Sequence, residues 1–478
     1  MIIGDVIKKI GKVVKGMFSK KVTVEKAFDT SIAVSGEMEN SIQLWAEMYK
    51  NKPPWKKEML GLLNLAATVS AEMARLVTTE MQVKVSGSPM ADYINTELQK
   101  CIANARQYTE FACAKGGVAL KPYVMPNTNR IGVSIVHAGE FYPTKFDSNG
   151  EILGAIFPDQ KIVGKKKYTR MEWHELDETT YTIRNKVFVT EVSEIGETND
   201  NILGKEVTLE EVPEWSNIQP EVVIQNIEKP LFAYFKMPMA NNIEDNSPLG
   251  ISIFARAVDT IKEADEQWSN ILWEYKATQA AVFGDEDVFV TDERGNVKLE
   301  GRDKRLFRIF EGLEEKLKEY NPTIRDSSLF NGLNEILRQI EFQCFLSYGT
   351  ISKPQQVDKT ATEVKQSKQR SYSCVSDIQQ SFKNAHENLI YSIYVLALLY
   401  EFAPDGEYEM MFDFDDSIVV DTEVEFARLM QLAAAKMIRP EKVTAWYFGV
   451  SEEEAKKMLP PAFDSNDPDD QTPEHEEE

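Results

Sequence analysis

The residues able to do acid–base or metal chemistry are few and poorly spaced for it. Asp413, Asp415, Asp416 and Asp421 crowd into FDFDDSIVVD, where clustered carboxylates would suit a divalent cation. The segment lacks the Gly and the closing Glu of an EF-hand loop. Asp413 and Asp415 alternate with Phe412 and Phe414, which is the pattern of a strand with one wet face. His174-Glu175 has no second His at zincin spacing, and Gly204-Lys205 lacks the upstream Gly and the following Ser or Thr of a P-loop. His174 and Trp173 read as exposed strand residues. His137, His174, His386 and His475 are too scattered for a triad or a metal site. Cys101, Cys113, Cys344 and Cys374 show no CxxC spacing and sit in apolar or helical patterns, so they read as buried thiols rather than a disulfide frame or zinc site. The expectation is a chain with no catalytic residue, no metal and no cofactor.

The elements that would position any site are clearer. Between Ser247 and Pro404 three helical patterns are separated by two insertions. The first carries Ile253, Phe254, Ala257, Val258, Ile261, Ala264, Trp268, Ile271 and Leu272, with Ser247 as N-cap and Pro248 at the first helical position, which predicts a helix over about 250–283. The second carries Leu329, Leu333, Ile336, Leu337, Ile340, Cys344 and Phe345. The third runs from about Thr360 to Phe402 without Gly or Pro, opened by a capping box at Thr360–Glu363. A helix of ~42 residues is a rod of roughly 63 Å, longer than one domain core is wide. Its first half, to Ser373, is polar with Lys365, Lys368 and Arg370; its second carries Ile378, Phe382, Ala385, Leu389, Ile393, Leu396 and Leu399 at core spacing.

The insertions differ in texture. Residues 284–323 hold strand-like runs at Asp287–Thr291 and Asn296–Glu300 and a basic cluster, Arg302, Lys304, Arg305 and Arg308, in an otherwise acidic protein. Residues 350–359 are a polar decapeptide, TISKPQQVDK.

Upstream, residues 25–110 read as mostly helical, with apolar faces through Trp45, from Trp55 to Leu76, and from Asp92 to Cys113, ending at Gly116-Gly117. From Val118 to Lys236 the period switches to two, with turn signals at Asn127–Asn129, Asp147–Gly150, Gly164 and Asn199–Asn201, the signature of an antiparallel β region. Downstream, 422–437 and 440–448 read as short helices and Ser451 caps a last one. Residues 464–478 carry carboxylates without Lys or Arg and read as a disordered tail.

The length of 478 residues leaves room for two or three domains, and the apolar share of 42% is that of a folded globular protein. A net charge of −23 argues against a surface that wraps nucleic acid through phosphate neutralisation, but not against one past which a polyanion slides. No apolar run reaches the ~20 residues of a membrane span. Ile2 to Phe18 forms an amphipathic helix with lysines opposite its apolar face, which reads as packing on its own protein.

The chain resembles the portal proteins of tailed bacteriophages, in the family from phages of Gram-positive hosts. The resemblance is carried by SPLGISIFARAVDTIKEADEQWSNILWEYKATQAAVF, KPQQVDKTATEVKQSKQRSYSCVSDIQQSF, FDFDDSIVVD and WYFGVSEEEAKKML, and spans nearly the whole sequence. It implies an α+β portal fold. Residues 1–246 would be a wing of N-terminal helices followed by antiparallel strands. Residues 247–283 and 325–349 would be two stem helices flanking a small α/β clip at 284–324. Residues 350–360 would form a tunnel loop, 361–420 the wing spine helix and a strand, 421–463 a helical crown, and 464–478 the acidic tail.

It also implies a homo-oligomeric ring of about twelve subunits at one capsid vertex, a channel through which double-stranded DNA is packaged and ejected. The implied partners are the terminase large subunit, head–tail connector or adaptor proteins, the major capsid and scaffolding proteins, and DNA in transient nonspecific contact, with no membrane. On this resemblance the tunnel loop presents Lys353, Gln355, Gln356, Asp358, Lys359 and Lys365 to DNA, and the clip docks partners through Arg302, Lys304, Arg305 and Arg308. The expected location is the virion's portal vertex, after assembly in the bacterial cytoplasm. The sequence also admits a nuclease using Asp413, Asp415 and Asp416, a membrane-associated or other virion scaffold using Ile2–Phe18, and the portal of a domesticated prophage.

Overall fold

In the computed structural model, the described residues are 21, 23–191, 203–278, 281–285, 307–310, 317–320, 325–353, 361–414, 422–448 and 450–459. They form a mixed helix-and-sheet protein that divides into two compact units, 1–414 and 415–478.

In the first unit, helices α1 (Gly36–Tyr49), α2 (Leu65–Thr78), α3 (Pro89–Ile102) and α4 (Ala105–Lys115) precede the β-rich region that begins at Gly117. Ser35 and Ser88 cap α1 and α3, their hydroxyls accepting the Met38 and Ala91 amides. The apolar stripes of these helices converge with a later, 39-residue helix, α7 (Ala361–Leu399), on one core that holds Trp45, Met73, Leu98, Tyr108, Phe382 and Leu389. At 1.5 Å per residue that helix is roughly 58 Å long.

The expectation of helix from 25 to 110 is only partly met. Residues 55–63 are a 3-10 turn and irregular chain, Met81–Ser86 is a strand (β1), and the pattern from Asp92 to Cys113 breaks into α3 and α4. The apolar residues of 55–63 face the core without a helix, because Asp265 and Ser269 hold their backbone instead.

The period-two region folds as expected. Strands β2 (Gly117–Val124), β3 (Ile131–His137) and β10 (Ala233–Lys236) form an antiparallel sheet in the order β10-β2-β3. Strands β4 (Tyr142–Phe146), β5 (Ile152–Val163), β6 (Lys166–Asp177), β7 (Thr180–Glu191) and β8 (Lys205–Val207) form an antiparallel meander, and β9 (Glu221–Gln225) also pairs with β7. Trp173 and His174 are buried, not exposed, because both faces of this sheet are covered: Trp173 packs edge-on to Phe28, and His174 sits among Phe157, Tyr181 and Phe232.

Helix α5 spans Val258–Ala277, so the helix expected over 250–283 begins later and ends sooner. Ser247 is not its cap; its hydroxyl accepts the Leu249 amide in a local turn. Residues 249–254 run instead as a buried non-helical segment that satisfies the open end of α4. The Ile253 amide and the Ser252 hydroxyl both donate to the Cys113 carbonyl. Gly116 and Gly250 make this docking sterically feasible. A Cβ on Gly116 would lie 2.2 Å from the Gly250 oxygen, and one on Gly250 would lie 2.2 Å from the Gly116 oxygen. Beyond α5, residues 281–285 leave the helix to become strand β11.

Strand β11 (Ala281–Asp285) pairs in parallel with β12 (Phe307–Phe310) and antiparallel with β13 (Leu317–Tyr320). Helix α6 (Asp326–Gln343) follows, then α7, and strand β14 (Glu409–Phe414) closes the unit by pairing with β1. On β14, Phe412 and Phe414 pack on the core and Asp413 is exposed, which is the one-wet-face strand anticipated. Asp415, Asp416 and Asp421 lie outside the described residues, as do Ile2–Phe18, Asp287–Thr291, Asn296–Glu300, the Thr360 cap and the tail at 464–478.

The second unit contains α8 (Thr422–Ala434), α9 (Pro440–Phe448) and α10 (Glu452–Met458). Ser451 caps α10 as its sequence predicted, accepting the Glu454 amide. All four cysteines are buried and free.

Candidate functional site

Helices α5 and α6 lie side by side and antiparallel. Arg325 Nη2 pairs with Glu274 Oε2 at 3.3 Å, and two turns back along α5 Gln267 Nε2 donates to the Leu329 carbonyl at 3.4 Å. The strand trio β11–β13 is inserted between them in sequence, and α6 runs on at its other end into residues 344–353, which lead toward α7.

That exit is tightly built. Phe345 and Gly349 both adopt positive φ, at 59° and 90°, so the chain reverses within one turn of the helix end. The reversal wraps around Glu341, which has no exposed surface. Its carboxylate accepts the amides of Gly349 (3.0 Å), Ile351 (2.7 Å) and Ser352 (2.9 Å), and its second oxygen accepts the Ser352 hydroxyl (2.8 Å). A buried carboxylate is costly unless its lone pairs are satisfied, and here backbone donors satisfy them. Two turns earlier Asn334 Oδ1 accepts the Lys353 amide at 2.7 Å. Arg370, from α7, donates to the Leu346 carbonyl at 3.3 Å and lies 4.3 Å over the Phe342 ring; Arg338 lies over Tyr348 at 5.3 Å.

Of the residues expected to face DNA, Lys353 leaves this anchor exposed, with its ammonium 5.5 Å from the Phe330 ring centre. Gln355, Gln356, Asp358 and Lys359 lie outside the described residues, and Lys365 is placed by its backbone within α7. Of the basic cluster, Arg308 is on β12 in register with Phe283 of β11, while Arg302, Lys304 and Arg305 lie outside the described residues. Among the described residues the structure brings no two of these together.

The residues that hold the site were missed: Glu341, Asn334, Ser352 and Arg370. A signal existed, since Glu341 stands in the apolar stripe formed with Leu333, Leu337, Ile340 and Cys344. A carboxylate at such a position needs partners.

A second polar cluster joins the two large sheets. Lys121 of β2 pairs with Glu172 of β6, Arg170 Nη2 lies 3.2 Å from the same carboxylate, and His174 Nε2 lies 3.1 Å from its other oxygen. His174 Nδ1 and the Tyr181 hydroxyl are 2.8 Å apart. Burial alone would raise the Glu172 carboxyl, but Lys121, His174 and Arg170 hold it well below the ordinary carboxylate range. Burial pushes His174 below its ordinary value against the pull of Glu172, and raises the Tyr181 phenol well above its own. An imidazole held neutral and a phenol held protonated in the interior form a cross-brace, with no activated nucleophile among them.

Among the described residues no group of three or more His, Cys, Asp or Glu stands where it could hold a metal ion, and no helix is long and apolar enough to cross a membrane.

Comparison with known proteins gives one family. The family model described as "Phage portal protein, SPP1 Gp6-like" matches residues 36–460. No curated protein matches. Among solved structures, a chain in the virion of a native gene transfer agent particle is 9% identical with a TM-score of 0.42, covering 86% of this chain and 94% of that one. A chain in the neck of the native particle, computed with C12 symmetry, is 10% identical with a TM-score of 0.42 and the same coverage. One in the neck of the empty particle, computed with C6 symmetry, is 11% identical with a TM-score of 0.39, covering 81% and 90%. The family match spans most of the sequence, including α5, α6, the Glu341 anchor and α7: the chain belongs to the SPP1 Gp6-like family of phage portal proteins.

Proposed function

We propose that the Glu341 anchor is the fixed root of a loop, residues 350–360, that faces translocating DNA in a ring-shaped portal. As a portal protein the chain belongs to the virion's portal vertex and forms the channel for DNA packaging. In this reading α5 and α6 are the stem, residues 284–324 the clip, α7 the wing spine, 1–246 the rest of the wing, and 421–463 the crown. The observation that carries it is the arrangement around Glu341: an antiparallel helix pair with a small sheet inserted at one end and, at the other, a polar loop whose first residues are clamped by a buried carboxylate. A loop that touches moving DNA needs such a rigid base.

The ring is homo-oligomeric, of about twelve subunits, closed by head-to-tail contacts. At −23 per chain it carries a strong negative field, which keeps a polyanion from sticking while a few cations guide it. Lys353, Lys359 and Lys365, beside Gln355, Gln356 and Asp358, are those groups. The clip's Arg302, Lys304, Arg305 and Arg308 meet the terminase large subunit and then the head–tail connector, and the wing meets capsid and scaffolding proteins. The chain itself is non-catalytic, and the motor's hydrolysis belongs to another protein.

Two experiments test this. Virions carrying Lys353→Ala and Lys359→Ala should package less DNA; full-length packaging at the normal rate removes these lysines from the path. Charge reversal at Arg302, Lys304, Arg305 and Arg308 should spare the ring and block packaging or head completion. Loss of the ring would make the cluster an assembly contact instead.

A further inference from the structure

The outer surface of the α5–α6 pair carries two patches of opposite character. On α5, Asp259, Glu263 and Glu266 recur at four- and three-residue spacing on one exposed face. Lys262 answers only Glu266, at 3.7 Å, and among the described residues no cation pairs with Asp259 or Glu263. At the exit of α6, Phe342 and Tyr348 are 49% and 37% exposed and lie together under one guanidinium. The Arg370 guanidinium lies over both, at 4.3 and 5.7 Å, and its only polar partner among the described residues is the Leu346 carbonyl. Its Nε is shielded from solvent without a partner.

The two patches stand within about one turn of each other along the helix pair. Glu274 sits beside Arg325, and Gln267 beside Leu329 and Gly332. Continuing along antiparallel helices puts Glu263 level with residues 333–336 and Asp259 level with residues 337–340, within about a turn of Arg338 and Phe342. Yet among the described residues no ion pair joins them. In a ring generated by rotation, each subunit offers one face to the neighbour on one side and a different face to the other side, at matching heights.

We infer that the acidic face of α5 in one subunit docks on the Phe342–Tyr348–Arg370 patch of the next, with Glu263 meeting Arg370. The occupant is a second copy of this chain, chosen by charge complementarity and by the level at which both patches stand. Closing the contact covers the exposed rings and removes water from around Arg370, which strengthens the ion pair. The inference rests on the ring reading of the preceding section.

The test uses the full chain with Glu263→Arg or Arg370→Glu, sized by light scattering and imaged by negative stain. Each variant alone should remain at single-chain mass with a wild-type circular dichroism spectrum. Their equimolar mixture should form rings, because every interface in an alternating ring is again of opposite charge. The double variant, which restores the pair in every subunit, should also form rings. Rings from wild type and from either single variant overturn the interface alone. Folded single variants that neither the mixture nor the double variant rescues overturn it as well. A wild-type chain that never forms rings overturns the ring reading and the interface together.

Discussion

Glu341 and Ser352 are joined twice: the Ser352 amide reaches one carboxylate oxygen at 2.9 Å and its hydroxyl the other at 2.8 Å. The pair fixes the place where α6 ends and the chain departs toward α7. Because the donors are mostly backbone, the arrangement depends on the carboxylate rather than on the loop's side chains.

Glu341→Ala leaves the amides of Gly349, Ile351 and Ser352 without their acceptor. Ser352 is buried and Gly349 and Ile351 are half-buried. An orphaned buried donor costs about 1–3 kcal/mol and a half-exposed one less, so the first unit should lose about 1–3 kcal/mol or more in a denaturant titration. Glu341→Gln, which keeps one accepting oxygen, should lose less. In both, hydrogen exchange should accelerate at Gly349, Ile351 and Ser352 before it does in α6. Unchanged protection there would mean the carboxylate does not hold the loop root.

His386 predicts a pH dependence. Its Nδ1–H donates to the Phe382 carbonyl and its Nε2 accepts the Tyr108 hydroxyl, each at 2.8 Å, so the buried ring is neutral. Burial lowers it from 6.5 to about 4. The unfolded chain therefore binds the proton first as pH falls. The contribution is complete above about pH 6.5 and is lost progressively down to about pH 4, totalling about 3 kcal/mol. His174, also depressed by burial, acts in the same direction. His386→Gln should flatten the stability–pH curve in that window; an unchanged slope would contradict the assignment.

Gly116 and Gly250 should tolerate no side chain. Gly116 has φ of +88°, and an added Cβ at either position would meet the other's carbonyl oxygen at 2.2 Å. Alanine at either site should lower stability by about 3 kcal/mol or more, or leave the protein insoluble. A melting temperature within a degree or two of wild type would show that the 249–254 segment can shift away from α4.

Asp265 should matter to residues 55–63. Its oxygens accept the Trp55 indole at 3.0 Å and the Leu63 amide at 2.9 Å, and burial raises its carboxyl above the ordinary value despite both bonds. Asp265→Ala should cost about 1–3 kcal/mol and shift the fluorescence of Trp55 to longer wavelength. Asp265→Asn, able to accept one of the two bonds, should fall between. No spectral change in either would separate Asp265 from the packing of Trp55.

Much of this architecture was readable in the sequence, and the reasons for the rest are specific. The apolar spacing of Leu333, Ile340, Phe382 and Leu389 marked α6 and α7, and alternation marked the meander of β5, β6 and β7. Ser247-Pro248 misled because a cap and a proline are local signals, whereas the Cys113 carbonyl that claims Ser252 and Ile253 is 139 residues from Ser252 in sequence. Trp173 and His174 misled because alternation identifies a strand but not whether its second face is covered. The site's most informative residues were polar ones standing in apolar stripes: Glu341, Asp265 and His386. Each is legible as a demand for partners, but the pattern does not name them. Glu341 takes the chain just past its own helix, Asp265 takes Trp55 and Leu63, 210 and 202 residues upstream, and His386 takes Tyr108 of α4.

The ring is the central claim, and purified full-length protein imaged by negative-stain or cryo-electron microscopy tests it most directly. The account predicts closed rings with a central channel, with class averages showing about twelve repeats. A protein that stays at single-chain mass across protein concentration and salt, with no ring in any class, would contradict it.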